Sequence, residues 1–320
     1  MAHESVSLIV PVYNSAELLG ELVRRLRETL DLLDRDYEIV LVNDGSHDAS
    51  WHRITQLAAA DERVRGLDLM RNYGQHNALL AGIRAARHEL AVTLDDDLQN
   101  PPEEIPALLA KLDEGFDVVY GTFTERQFGF WRNLGTAITK LALRWVIGSD
   151  IARDVSAFRA FRTELRDAFA SYNAPYISID VLLSWGTTRF GSVPVSHSAR
   201  AAGRSSYNFA RLANHALNVM TGFSTRPLRF ASLVGLAFTL FGGVVLVVVL
   251  ATYLIEGGSV PGFPFLASLI AIFSGAQLLT LGIIGEYLAR MHLRVMDRPS
   301  FTVREEVGVG AHEEVGSAGR

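Results

Sequence analysis

Two stretches of this 320-residue chain carry no charged side chain, and they constrain its fold more than any other feature. From Phe230 to Ile255 the sequence reads FASLVGLAFTLFGGVVLVVVLATYLI, and from Gly262 to Gly285 it reads GFPFLASLIAIFSGAQLLTLGIIG. Each exceeds the roughly 20 apolar residues that cross the hydrocarbon of a bilayer. Core helices of soluble proteins seldom run so far without a charge. The pair is expected to be a membrane hairpin, with two buried core helices as the alternative. Arg226 and Arg229 precede the first run, Arg290, Arg294 and Arg298 follow the second, and the connecting EGGSVPGFP has no Lys or Arg. Positive residues favour cytoplasmic flanks, so both ends are expected inside. MAHES leads into SLIVPVY without the basic flank and long apolar run of a signal peptide, so the first 225 or so residues are expected in the cytoplasm. The absence of cysteine fits a reducing compartment.

The net charge of −5 conceals a segregation. Residues 1–121 carry 11 Lys/Arg against 22 Asp/Glu, residues 122–229 carry 14 against 6, and residues 230–320 carry 5 against 7. The cationic middle segment lies directly before the first apolar run. Such a segment is drawn to anionic headgroups and to an anionic lipid substrate, or serves only as a positive collar.

Short β-rich runs alternate with helical stretches over the first 121 residues. Strands are predicted at Val6–Val12, Tyr37–Asn43, Val64–Met70, Leu90–Leu94 and Val118–Tyr120, and helices at 16–33, 48–60, 74–87 and 102–114. The alternation predicts an α/β fold, a mostly parallel sheet with helices on both faces. Ligands of such sheets bind beyond the carboxyl ends of the strands, where PVYN (11–14), NDGS (43–46) and DDDLQ (95–99) fall. Farther on, 128–148 and 207–223 read as amphipathic helices lying on a membrane surface or packed on the sheet. The polar, Gly-containing tail after Pro299 is expected to be disordered. Four regions are expected: 1–125, a core that carries the three polar motifs; 126–229, a second half with interfacial helices; 230–290, the hairpin; and 291–320, a cytoplasmic tail.

Three adjacent carboxylates at a strand end repel one another unless a cation sits among them. If strand geometry persists, Asp95 and Asp97 project to the same side. A hard ion such as Mg²⁺ or Mn²⁺ takes one or two carboxylates plus substrate phosphates, and Gln99 could add an amide oxygen. Asn100 before Pro101 also reads as a helix cap, which does not account for all three acids. Asp44 in NDGS could accept hydrogen bonds from a base or ribose, although Asp-Gly-Ser is also ordinary turn chemistry.

As an ordered set, PVYN, NDGS, RNYGQHNALLAGIRAA (71–86), DDDLQNPPEE, DVSAFRAF (154–161), RAAGRSSY (200–207) and FSTRPLR (223–229) resemble the motifs of polyprenyl-phosphate glycosyltransferases. These are family 2 enzymes of the GT-A fold, the group of dolichyl-phosphate mannose synthase and the bacterial undecaprenyl-phosphate sugar transferases. The resemblance covers residues 6 to about 304. It implies that Asp95, Asp97 and Gln99 bind the metal, with Asp96 at the variable middle position on the donor side, and that Pro11, Tyr13 and Asp44 cradle the nucleoside. Arg200 matches a residue at the donor or acceptor phosphates, and Arg204 in the same stretch is grouped with it. Arg132 and Thr136 resemble a pair that contacts the lipid phosphate, and Asp154 matches an Asp beside the acceptor. Asp97, Asp154 and Arg200 are therefore the catalytic candidates.

The chain departs from the family pattern where Ser15 replaces the Glu of PVYNE, leaving Glu17 as the nearest acid, and where NDGS replaces DDGS. Gly-Thr-Phe at 121–123 replaces Gly-Ser-Arg, which leaves Arg126 as a substitute cation, and Ser206 replaces a Lys.

The implied reaction moves a sugar from a nucleotide diphosphate, UDP by resemblance, to undecaprenyl phosphate at the cytoplasmic face of a bacterial inner membrane. Nucleotide sugar, polyprenyl phosphate and membrane lipids are the expected partners, without nucleic acid, and further copies of the chain associate through the membrane helices, as in a tetramer. A phosphate monoester has its second pKa near 6, so the acceptor needs no strong general base. Asp154 is thus read as an organiser or a salt-bridge partner of a neighbouring Arg, His76 as a structural cap or a donor contact, and Glu286 as an interface marker. The competing readings are a processive polysaccharide synthase, a non-catalytic nucleotide-sugar scaffold for a flippase, and a transporter.

Overall fold

The computed structural model describes residues 4–33, 35–123, 154–174, 177–196, 224–256 and 262–308. Its centre is β1 (Val6–Val12), β2 (Tyr37–Asn43), β3 (Val64–Leu69) and β4 (Leu90–Thr93), parallel in the order β4-β1-β2-β3. Parallel strands buried on both faces read as continuous apolar runs, as IVLV does at 39–42. Alternation then sorts side chains onto two layers. Ile39 and Leu41 join one core with Leu8 and Val10, while Val40 and Val42 join another with Ile9.

Helix α1 (Ala16–Leu30) covers the first layer because Leu19, Leu22, Val23, Leu26 and Leu30 recur at helical spacing. Helices α2 (Ser50–Ala60) and α4 (Ile105–Asp113) complete that layer through Ile54, Leu108, Leu109 and Leu112. Helix α3 (Gln75–Ala85) covers the other layer. Gly82 lets it approach closely, since an added Cβ would stand 2.4 Å from Ile9.

Beyond β4 the sheet becomes mixed. Strand β5 (Val118–Phe123) is followed by β6 (Arg159–Arg162), which inserts antiparallel between β4 and β5. Helix α5 (Ile179–Gly186) and β7 (Phe190–Val195) complete this side, with β7 parallel to β5.

Helices α6 (Arg226–Glu256) and α7 (Phe263–Val295) contain the two charge-free runs. They touch through an edge-to-face contact of Phe238 and Phe273 at 5.6 Å, with Phe273 seated over Gly242. Segments Leu228–Thr252 and Ile272–Val295 are long and apolar enough to cross a membrane, and none of either apolar window is buried among the described residues. That exposure is unlike the helix of a soluble core.

The expectation of a disordered tail after Pro299 is corrected for the residues that follow α7. Ser300 donates to the Ala174 carbonyl, Phe301 packs against the second core, and β8 (Val303–Val307) pairs antiparallel with β3. The alternating VREEV was too short and too charged to read as a strand alone. The strand order is β7-β5-β6-β4-β1-β2-β3-β8. The amphipathic helices expected at 128–148 and 207–223 lie outside the described residues.

Candidate active site

The carboxyl ends of β1, β2 and β4 open into one cavity of about 310 Å³, lined by Pro11, Val12, Tyr13, Asp44, Asn72, Gly74, Gln75, Asp95, Asp96 and Asp97. Every residue assigned to the nucleotide side from sequence stands on this wall. The sequence argument for Asp95 and Asp97 needs correction, however. Strand β4 stops at Thr93, and Leu98 adopts φ +58°, so a turn rather than strand alternation presents the acids. The Gln99 amide N–H donates to Asp97 Oδ1 at 3.1 Å and closes that turn. Gln99 thus contributes its backbone here.

The three aspartates are held differently. Asp95 Oδ1 accepts from Gln75 Nε2 at 2.6 Å. Asp96 Oδ2 accepts from the Tyr13 amide at 3.1 Å, which ties the end of β4 to the end of β1. Burial pushes the Asp96 carboxyl above the usual range and the charge of Asp97 adds to this, while the Ser15 hydroxyl and the Tyr13 amide oppose it. Asp96 is accordingly a tie between strands, a role that a variable middle position did not suggest.

Asp44 is only 3% exposed, and its two oxygens accept from the amides of Tyr73 (2.7 Å) and Gly74 (2.9 Å). Burial raises its pKa against the pull of those amides. Gly74 has φ +94° and Gly45 φ +64°; a Cβ on Gly45 would stand 2.5 Å from the Asn72 amide nitrogen. The turn after β2 and the loop after β3 therefore fit only without that side chain. Asn14, at φ +55°, clasps the same turn: its amide donates to Ser46 Oγ, and its Oδ1 accepts from the His47 amide. Tyr13 remains 45% exposed, edge-on to His47 at 6.4 Å. Asn43 donates to the buried Asp68 at 2.7 Å, which explains NDGS, since an acid at 43 would face another carboxylate.

On the other flank Asp154 accepts from Ser192 Oγ at 2.9 Å. Of the neighbouring arginines, Arg153 lies outside the described residues, and Arg159 and Arg162 are engaged elsewhere. Arg162 reaches Glu4 and Asp117, and Arg159, 1% exposed, pairs with Asp180 and donates to Thr93 Oγ1 at 3.0 Å. Tyr120 donates to the same Asp180 at 3.1 Å. Thr93 is the last residue of β4, so this buried pair braces the base of the acidic turn. His76 Nδ1 accepts from the Ile179 amide at 3.4 Å, at the start of α5, a capping contact. Sequence reasoning missed Gln75, Asn72 and the Arg159–Asp180 pair. The first two lie in RNYGQ at a strand end, a readable place; the pair joins residues that no local pattern links. Arg126, Arg132, Thr136, Arg200 and Arg204 lie outside the described residues.

The donor set is hard oxygen. Among the described residues no three His, Asp or Glu side chains converge into a self-sufficient metal site. Two half-buried carboxylates beside a cavity suit a cation that completes its shell from substrate and water.

This sheet, with its acidic turn at the strand ends, is the GT-A fold, and solved structures share it. Glucosyl-3-phosphoglycerate synthase from Mycobacterium tuberculosis, crystallised in complex with Mn²⁺, uridine-diphosphate-glucose and phosphoglyceric acid, is 17% identical with a TM-score of 0.51, covering 69% of this chain and 78% of that one. The same enzyme in complex with Mn²⁺, uridine-diphosphate and glucosyl-3-phosphoglycerate is 18% identical with a TM-score of 0.52 and the same coverage. Residues 7–167 match glycosyl transferase family 2, and the chain belongs to that family. It is a glycosyltransferase.

Proposed function

We propose that the protein transfers a sugar, with inversion, from a nucleotide diphosphate sugar to polyprenyl phosphate, undecaprenyl phosphate in a bacterial inner membrane, at its cytoplasmic face. The observation that carries this reading is the chain's path. It leaves the catalytic domain into a hairpin of two uncovered apolar helices and returns to the same sheet as β8. A donor cavity tethered in this way suits an acceptor that is itself confined to a bilayer. The motif resemblance adds the phosphate at the acceptor's head, and the cationic 122–229 segment suits that anion.

Asp95 and Asp97 would hold Mg²⁺ or Mn²⁺, as the family fold and the Mn²⁺ complexes of the synthase suggest. Such an ion supplies positive charge beside the departing diphosphate. Gln75 fixes the Asp95 carboxylate, and Asp96 with Tyr13 fixes the turn. The exposed Tyr13 ring offers a face to the base, and UDP is the favoured carrier by likeness to that synthase. The acceptor oxygen is already ionised near neutral pH, so the chain's task is to bring two anions together. A bond forms from the phosphate oxygen to the anomeric carbon as the bond to the nucleotide diphosphate breaks, and the leaving group departs with the electron pair. Asp154 orders the acceptor side. Arg132, Thr136, Arg200 and Arg204, with Arg126, are the proposed phosphate contacts. Self-association through the hairpin and the four-region division belong to the same reading.

Purified protein with Mn²⁺, undecaprenyl phosphate and a panel of nucleotide sugars should yield one glycolipid, and excess EDTA should abolish it. Full activity in EDTA would remove the ion from this account. An Asp97→Asn protein that kept its cellular role without turnover would favour a scaffold.

A further inference from the structure

We infer that the strand made after the membrane hairpin positions the donor site, with Arg304 as the positioning residue. The inference rests on the nucleotide-sugar reading of the cavity and adds a part of the chain outside it. Arg304 lies on β8, level with the carboxyl end of β3. It donates from Nη1 to Asp68 Oδ2 at 3.2 Å and from Nη2 to the Met70 carbonyl at 2.8 Å.

Each contact leads to the cavity rim. Asp68 Oδ1 accepts from Asn43 Nδ2 at 2.7 Å, and Asn43 Oδ1 accepts from the Ser46 amide at 3.4 Å, within the turn that bears Asp44. Met70 opens the loop that carries Asn72, Gly74 and Gln75. Thr302, just before β8, grips the same loop: its carbonyl accepts from the Met70 amide at 2.9 Å. Asp44 then joins turn to loop through the Tyr73 and Gly74 amides. One guanidinium thus holds both segments that face the nucleotide, and it sits on chain that the hairpin delivers.

Asp68 is 3% exposed, and Arg304 is its only cationic partner among the described residues. Without Arg304 that buried carboxylate keeps Asn43 alone, and the Met70 carbonyl loses a charged donor. The effect falls on the geometry of the rim and leaves the acidic turn at 95–98 untouched.

The test uses full-length protein in nanodiscs, comparing Arg304→Ala, Arg304→Lys and Glu306→Ala. Glu306 pairs with Arg65 and belongs to β8 but not to this relay. Arg304→Ala should raise the donor KM about tenfold with kcat and acceptor KM within about twofold, and Lys should restore most of the loss. Glu306→Ala should leave the donor KM within about twofold. Amide hydrogen exchange should quicken at 43–46 and 70–75 in Arg304→Ala alone. An unchanged donor KM and exchange rate in Arg304→Ala, or an equal rise in Glu306→Ala, would overturn the inference. A wild-type protein that turns over no nucleotide sugar sinks the functional reading instead, and the exchange comparison still decides this one.

Discussion

The acidic turn has two unlike flanks. Toward β1–β3, side chains are held by main-chain amides: Asp44 by Tyr73 and Gly74, Asp96 by Tyr13, Asp97 by Gln99. Toward β6, the bracing comes from a charge pair in the interior, Arg159 with Asp180, assisted by Thr93 and Tyr120. Main-chain donors survive most substitutions nearby. An interior ion pair depends on both members, because each is a desolvated charge without the other. The flank toward β1–β3 is therefore robust in fold and sensitive in chemistry, and the flank toward β6 is the reverse.

The largest effect that can break this contrast is on stability. Arg159→Leu should cost about 3–5 kcal/mol, measured by denaturant unfolding, while the double change Arg159→Leu, Asp180→Leu should recover most of it. A single variant as stable as wild type would erase the distinction. Next comes chemistry: Asp97→Asn should lower turnover about 10²–10³-fold with the unfolding midpoint unchanged, and Asp154→Asn only about tenfold. Equal losses would place both flanks in the same role.

The smallest effect is on pH dependence. The Asp44 pKa lies above the ordinary 3.8, so between those values the folded protein binds a proton that the unfolded chain does not. Stability from this group therefore falls as pH rises through that window. Binding runs the other way, because only the carboxylate accepts from both amides. The donor KM should rise as pH falls through the raised value, and Asp44→Asn should flatten that limb. A limb unchanged in the variant would assign it to another group.

The positions of the residues on the flank toward β1–β3 were largely legible in the sequence because its parts are local. A strand end followed by a short polar motif says where a side chain will stand, as it did for Tyr13, Asp44 and the three aspartates. The mode of presentation was not legible, since alternation cannot foresee a non-glycine residue at positive φ such as Leu98. The other flank was obscure for a physical reason. Arg159 reads as one more surface-type cation in a basic segment, and only the insertion of β6 beside β4 buries it. VREEV reads as a polar tail until β3 supplies its partner.

That late strand also sets the order of biosynthesis. Until residue 307 has left the ribosome, the outer edge of β3 exposes unpaired N–H and C=O groups that invite pairing with other chains. By then both apolar helices have been translated, so the edge of the sheet is closed only by chain made after the helical hairpin.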